Sequence, residues 1–342
     1  MQVIVLKDDR PGHYHQSEGV VLALSRITPV EVVRVDVHRR NKPLARYFRT
    51  LFVRGWISPN LLLSIAYKRF KLPKLSSNSL IVSAGGDTLL ANVAVAKKSG
   101  CKNIFVGSTR GVSDQFFSMI HLIYDRYKNR PPYVVTLKPN TVDPDQAKLL
   151  EQRHSMKDAE CCLLVGGTTK SYLYKDSDWE RLIDVVRSTS ERLECRWRVS
   201  TSRRTPPGVV ELFDDFAKQY PDCVLEFINY ENSGPGTAER LIMNADVVFV
   251  TEDSNSMITE GVAAQRPVVS LQPDSWSGSE DEKSYLKMLE DNKWMKRLTI
   301  SELSSRKLEE LIGAISPMKE NHLDILAEKI ADRLGISYST ER

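Results

Sequence analysis

A chain of 342 residues is longer than one hydrophobic core usually serves, so two domains are expected. A hydrophobic content of 41% with 27% charge describes a globular protein and excludes a disordered one. The formal net charge is only +4, yet residues 1–86 hold fourteen Lys and Arg against five Asp and Glu, which leaves the rest of the chain at −5. The five cysteines lack C-x-x-C or disulfide-framework spacing, and a reduced, cytoplasmic compartment is expected. The opening MQVIVLKDDR has too short an apolar run for a signal peptide, and the most hydrophobic stretch, Trp56 to Tyr67, is broken by Pro59 and too short to span a bilayer.

Val3 to Leu6 predicts the first strand. It delivers Asp8-Asp9-Arg10-Pro11-Gly12-His13-Tyr14-His15-Gln16 as a glycine turn before a helical pattern from Ser17 to Arg26. Polar residues at the carboxyl end of a parallel strand mark the ligand side of the sheet. Gly12 allows close backbone approach there, with Gln16 beside it. Asp8, His13 and His15 are candidates for proton transfer, because imidazole and carboxylate are the usual acid–base groups. His13-x-His15 has no further ligands at metal spacing, and no G-x-G-x-x-G is present, so neither a metal nor a nicotinamide site is expected.

Glu31 to Val37 predicts a second strand. From Val37 to Gly86 there is no acidic residue, while ten Lys and Arg alternate with apolar side chains. Leu44, Phe48, Leu51 and Phe52 share one helical face, with Arg46 and Arg49 on the other. Such a segment suits an anionic membrane surface, where each cation near the headgroups contributes about 1 kcal/mol. Arg46, Arg49, Lys68 and Arg69 are then the membrane-facing cations. A core helix with a solvated basic face reads equally well, and nucleic acid is not expected, since no recognised motif accompanies the charge.

Ser79 to Ser83, the turn Ala84-Gly85-Gly86-Asp87-Thr88, a helix from Leu89 to Lys98 and a strand from Asn103 to Val106 form a βαβ unit with Gly85 and Gly86 at its carboxyl end. Met119 to Tyr124 and Tyr133 to Leu137 are further strands, and Thr141 to Glu160 reads as a linker. The second domain repeats the plan. Cys161 to Val165 opens into Gly166-Gly167-Thr168-Thr169-Lys170, which resembles a phosphate cradle without the full P-loop pattern. A helix from Asp178 to Leu193 and a strand from Arg196 to Thr201 follow. They lead to Ser202-Arg203-Arg204-Thr205 just before Pro206 or Pro207 opens a helix. Guanidinium groups fork onto phosphate oxygens with about 1.5 to 3 kcal/mol for each charge-assisted bond.

Cys223 to Ile228 is a strand, Asn229 to Thr237 a glycine-bearing loop and Ala238 to Met243 a short helix. The chain then reaches Ala245 to Leu271, which reads as strand, tight turn, helix and strand without a gap. Its turn, Thr251 to Ser256, leaves the first helix N–H groups open to a phosphate, and Glu260 is placed to accept both hydrogens of a sugar diol. The alternative is an ordinary N-cap at Asp253 or Ser254 with Glu260 solvated. Beyond Leu271, Gln272 to Glu282 reads as a polar loop, and Lys283 to Asp291, Ser301 to Ile315 and Met318 to Leu334 as helices.

Asp8-x-x-Pro11-Gly12-His13-x-x-Gln16, Thr201-Ser202-Arg203-Arg204-Thr205-Pro206 and Thr251-x-Asp253-Ser254-x-Ser256-Met257-x-x-Glu260 together resemble the mitochondrial-fission ELM-type family. That family is widespread in bacteria and includes a plant protein of the mitochondrial surface. Its resemblance to GT-B glycosyltransferases implies an α/β fold of two Rossmann-like domains facing across a cleft. The expected domain bounds are 1–145 and 146–315, with a C-terminal helix in 316–342 packing back on the first domain. The resemblance implies sugar transfer from a nucleotide-sugar without a required metal. Taken with the basic segment, the expectation is an enzyme of the cytoplasmic membrane face that needs no cofactor and passes the sugar to a lipid-linked or envelope glycan acceptor.

Carried over, Glu260 holds the donor ribose, Ser254 and Ser256 meet the diphosphate, and Arg203 and Arg204 neutralise it. Asp8 or His13 is the candidate base. Glu252 with Glu260 has E-x₇-E spacing, from which no stereochemistry is inferred. Tyr124-Asp125 stands where a His-Asp pair is more usual in the family. The plant relative's recruitment of a fission dynamin supplies a rival reading, a non-catalytic membrane adaptor, and a nucleotide-sugar epimerase on the same fold is a third.

Overall fold

The computed structural model describes residues 1–40, 44–147, 155–233 and 236–337, and it divides into two compact units, residues 1–141 with 322–342 and residues 142–321. Residues 148–154, within the expected linker, lie outside the described residues.

In the first unit the strands are β1 (Gln2–Lys7), β2 (Glu31–Asp36), β3 (Leu80–Ala84), β4 (Lys102–Val106), β5 (Met119–Leu122) and β6 (Tyr133–Val135). They form one sheet in the order β2-β1-β3-β4-β5-β6, every neighbouring pair parallel. All five residues of β3 are buried, as expected of a central parallel strand with both faces covered. The helices are α1 (Pro11–Ser25), α2 (Ala45–Val53), α3 (Pro59–Ala66) and α4 (Leu89–Ser99). The strand order reverses between β1 and β3, so the loops after those two strands flank the switch point where such sheets take ligands.

The second unit carries β7 (Glu160–Leu164), β8 (Tyr172–Leu173), β9 (Arg196–Ser200), β10 (Val224–Ile228), β11 (Val247–Thr251), β12 (Val268–Gln272), β13 (Ser275–Trp276) and β14 (Met295–Thr299). Its main sheet runs β10-β9-β7-β11-β12-β14, all parallel, which is the strand order of a dinucleotide-binding domain, with its switch point between β7 and β11. The helices are α5 (Asp176–Leu193), α6 (Pro207–Gln219), α7 (Tyr230–Ser233), α8 (Thr237–Asn244), α9 (Asn255–Ala263), α10 (Glu280–Asp291) and α11 (Ser305–Ile312). The last helix, α12 (His322–Leu334), returns to the first unit: its Leu323, Leu326, Ile330 and Leu334 share a core with Val20, Val21 and Leu24 of α1, and Arg26 pairs with Asp324 at 2.6 Å.

Several elements differ from the sequence reading. Helix α1 begins at Pro11 rather than Ser17, because proline at the first helical position lacks only an N–H that has no partner there anyway. Gly12 and His13 therefore sit in a helical first turn and not in a glycine loop. Part of the Asn229–Thr237 loop is α7, and its residues 234–235 lie outside the described residues. The expected polar loop after Leu271 contains β13, which pairs with β8, and β14 was not anticipated at all. Its sequence, Met-Lys-Arg-Leu-Thr, gives an edge strand with only two buried residues and no apolar run.

Candidate functional site

In the first unit Asp8 is the first residue after β1 and His13 stands on the first turn of α1. Nδ1 of His13 lies 2.8 Å from Oδ2 of Asp8. The Asp8 side chain is almost wholly buried and also accepts the amide of Arg10. Burial alone raises its pKa, but the hydrogen bonds from His13 and the Arg10 amide, with the charges of both residues, outweigh it and hold the carboxyl below its ordinary range. A carboxylate on Nδ1 fixes the ring and leaves Nε2 as the working nitrogen, the arrangement of an oriented general base. His15 forms no hydrogen bond or ion pair with either of them among the described residues, and its ring lies 6.1 Å from that of Tyr14.

The His13 ring lies against Gly85. A Cβ at Gly85 would come within 2.0 Å of Nδ1, and its φ of +83° is itself a glycine conformation. The next residues are fixed from below: Arg39 donates to the carbonyls of Gly86 and Asp87, and the buried Tyr67 hydroxyl donates to Asp87 O at 3.0 Å. Burial pushes the Tyr67 phenol up to about 12, so it remains a donor. The Arg110 guanidinium lies over Gly86. The backbone face of Gly12 is open, with nothing within 4 Å of where a side chain would begin, and the Gln16 amide folds back onto its carbonyl at 2.8 Å.

In the second unit three loops meet at the switch point. Gly166 N–H donates to Thr251 Oγ1 at 2.6 Å, and Gly167 N–H donates to Asp253 Oδ2 at 3.2 Å. Neither glycine has room for a side chain: a Cβ at Gly166 would strike the Asp253 carboxylate at 2.1 Å, and one at Gly167 the Arg204 carbonyl at 2.0 Å. Thr205 Oγ1 reaches Gly166 O at 2.7 Å and accepts the Ser202 amide at 2.8 Å, while Ser202 Oγ accepts the Arg204 amide. Thr168 is exposed beyond the glycines, its hydroxyl accepting from Tyr174 N–H.

Asp253, which the sequence reading treated only as a possible cap, is the hub. Its side chain is fully buried and takes Thr251 Oγ1 at 2.8 Å and both Nε and Nη2 of Arg204, at 3.0 and 2.6 Å. Arg204 is thus engaged within the protein, and the exposed Arg203 is the guanidinium without a partner among the described residues. Ser254 is the N-cap of α9, yet its side chain makes no capping bond. The first-turn N–H groups of Asn255 and Met257 consequently have no partner among the described residues. Ser256 and Glu260 follow on α9, both half-buried. Glu252 points elsewhere. Its buried carboxylate takes Nε and Nη2 of Arg297 at 2.7 and 2.6 Å and the Ser270 hydroxyl at 3.0 Å, and the Arg297 guanidinium stacks 4.6 Å from the Trp276 ring.

The basic segment is divided by the fold. On α2, Phe52 is buried, and Phe48, Leu51 and Arg49 are half-buried; the Arg46 side chain lies outside the described residues. Tyr47, Trp56, Leu44 and Leu61 are exposed, four of the six large hydrophobic side chains so exposed among the described residues. Lys68 and Arg69 lie on the segment after α3, at a separate cavity. Among the described residues no helix is long and apolar enough to cross a membrane. Thr205, Asp253 and Tyr174 at one site and Arg39, Tyr67 and Arg110 at the other were missed as site residues. Thr205 and Asp253 lie inside the recognised motifs, whereas Tyr174, Arg39, Tyr67 and Arg110 are brought in by tertiary folding and carry no local signal.

Two parallel Rossmann-like sheets, each with a polar, glycine-bearing switch point, define an α/β protein of the GT-B class. The structure is similar to that of S. aureus MnaA with UDP, with a TM-score of 0.51 and 12% identity over 98% of this chain and 97% of that one. It is similar to the UDP-GlcNAc 2-epimerase of Methanocaldococcus jannaschii, with a TM-score of 0.50 and 12% identity over 98% and 99% of the two chains. The glycosyltransferase of kitacinnamycin gives a TM-score of 0.51 and 12% identity over 97% and 95%. At that identity the likeness is one of fold. The family model for mitochondrial fission ELM1 matches residues 11–334, and the chain belongs to that family. No curated protein sequence matches it.

Proposed function

We propose that the protein is a GT-B-type glycosyltransferase that moves a sugar from a nucleotide-sugar to a lipid-linked or envelope glycan acceptor. The observation that carries this reading is the uncapped head of α9 set beside the glycine loop of β7 and the Arg203–Arg204 turn. Open N–H groups with a helix dipole behind them, and a free guanidinium alongside, suit a diphosphate. The buried Asp253 carboxylate would repel an anion there, and Arg204 neutralises it. Ser254, Ser256 and Thr168 add hydroxyl donors, and Glu260, further along α9, takes the ribose diol.

In the reaction the acceptor oxygen bonds to the anomeric carbon. The bond from that carbon to the diphosphate breaks with its electron pair leaving on the nucleoside diphosphate. The acceptor proton passes to Nε2 of His13, oriented by Asp8. Fixed dipoles and Arg203 stabilise the departing charge, the preorganised form of catalysis that is worth most.

The similar MnaA and epimerase structures hold uridine nucleotides by their descriptions, which puts UDP first in a test panel. UDP, CDP and GDP are added to the full chain and its melting temperature is followed. One of them raises it for the native chain and not for Glu260→Ala. Indifference of the native chain to all three sinks the reading and favours a non-catalytic adaptor. Donor supplied without acceptor separates the epimerase: only that activity changes the configuration of the sugar.

The cytoplasmic face of an anionic membrane is the proposed site of action, supported by the acid-free segment and the exposed Tyr47 and Trp56.

A further inference from the structure

Within the first unit a cavity of about 690 Å³ opens between α3, the segment after it and α4. That is the size of a small-ligand site. Its lining contains Arg40, Lys68, Arg69 and Lys98 and no acidic residue. Lys68, Arg69 and Lys98 form no ion pair among the described residues, and Arg40 is fixed in place by donating Nε to Tyr67 O at 2.8 Å. The rest of the wall is apolar, with Leu63, Phe70 and Leu72 prominent, and Asn60 and Ser64 add uncharged polar groups. Four cations held together without a counter-charge repel one another, and an anion relieves that repulsion. A purely polar anion would leave the apolar wall wet, whereas a hydrocarbon chain covers it at about 25 cal/mol per Å².

We infer that this cavity binds a single chain-bearing phosphate, the phosphate lying under Lys68, Arg69 and Lys98 and the chain against Leu63, Phe70 and Leu72. The cavity is distinct from the exposed aromatic surface of α2 and from the α9 site, so this inference stands whether or not the protein binds nucleotides. Tyr67 lines the cavity while its hydroxyl holds the Asp87 carbonyl beneath the Gly85–Gly86 turn. A ligand in the cavity therefore lies against a residue that holds the backbone following the Gly85–Gly86 turn.

The test is calorimetric titration of the full chain with dodecyl phosphate below its micelle threshold, beside inorganic phosphate and an uncharged dodecyl chain. Saturable one-to-one binding is expected for dodecyl phosphate, with each of the other two weaker by at least about tenfold. A Lys68→Glu, Arg69→Glu double variant and, separately, Ser64→Trp, which fills the cavity from an exposed helix position, are each expected to weaken binding by about tenfold or more. Thermal melting establishes which variants fold, and either one suffices. Absence of saturable binding overturns the inference, as does equal binding of inorganic phosphate or of the uncharged chain. Undiminished affinity in a folded variant overturns it too.

Discussion

Arg203 and Arg204 are adjacent in sequence and opposite in situation. Arg204 is committed to a buried carboxylate; Arg203 faces solvent. Replacing Arg203 by Ala removes charge from the proposed phosphate site without touching the fold, so nucleoside diphosphate affinity falls roughly tenfold to a hundredfold while the melting temperature holds. Replacing Arg204 by Ala leaves Asp253 buried and unpaired. Both affinity and stability then fall, the latter by about 1 to 3 kcal/mol, moderated because Arg204 is partly solvated. Denaturant titration with and without nucleotide separates the two, and equal loss of stability in both variants contradicts the assignment. At the other pair, His13→Ala is expected to lower transfer by about 10² to 10⁴ with nucleotide binding intact, because a general base acts on the acceptor and not on the donor.

Elements decide what surrounds each of two similar carboxylates. Glu252 follows β11 and its carboxylate is held by Arg297 of β14, whereas Glu260 rides on α9. Sequence spacing alone makes Glu252 and Glu260 look like partners. The strand-to-helix turn between them separates their surroundings, and Ser270 and Arg297 engage the first. Glu252→Ala should therefore cost about 3 kcal/mol of stability by stranding a largely buried guanidinium. Glu260→Ala should cost little stability and abolish the nucleotide-induced rise in melting temperature. Urea unfolding of the two variants side by side tests this, and a stable Glu252→Ala chain would refute the structural role.

Across the whole molecule, pH and salt act on different groups. His121 is wholly buried on β5 beside Thr136, and burial lowers its pKa to about 3. Its folded value is depressed below the unfolded value of about 6.5, so its contribution is present above pH 6.5 and is lost as pH falls toward 3. Between pH 7 and pH 5 the loss from this one group is about 2 kcal/mol. Urea midpoints at the two pH values should show it, and a folded His121→Asn chain should lack that share. The basic segment is solvated instead, so pelleting with anionic vesicles should fall as salt rises and fall further in Trp56→Ser. Salt-insensitive pelleting would argue against a charged docking surface.

What the sequence by itself determined was the periodicity: apolar runs of strand length, glycine-bearing turns at their carboxyl ends and helical stretches between them, repeated twice. These signals are local, because a strand buried on both faces must be apolar and a tight junction must carry glycine. They sufficed for two Rossmann-like domains, and the three motifs led to the family. Tertiary structure alone decided that Asp253 consumes Arg204, that Glu252 belongs to Arg297, and that Lys68 and Arg69 line a cavity. Those outcomes depend on which side chains from distant strands end up within 3 Å of one another, and hydrophobic periodicity carries no record of that distance.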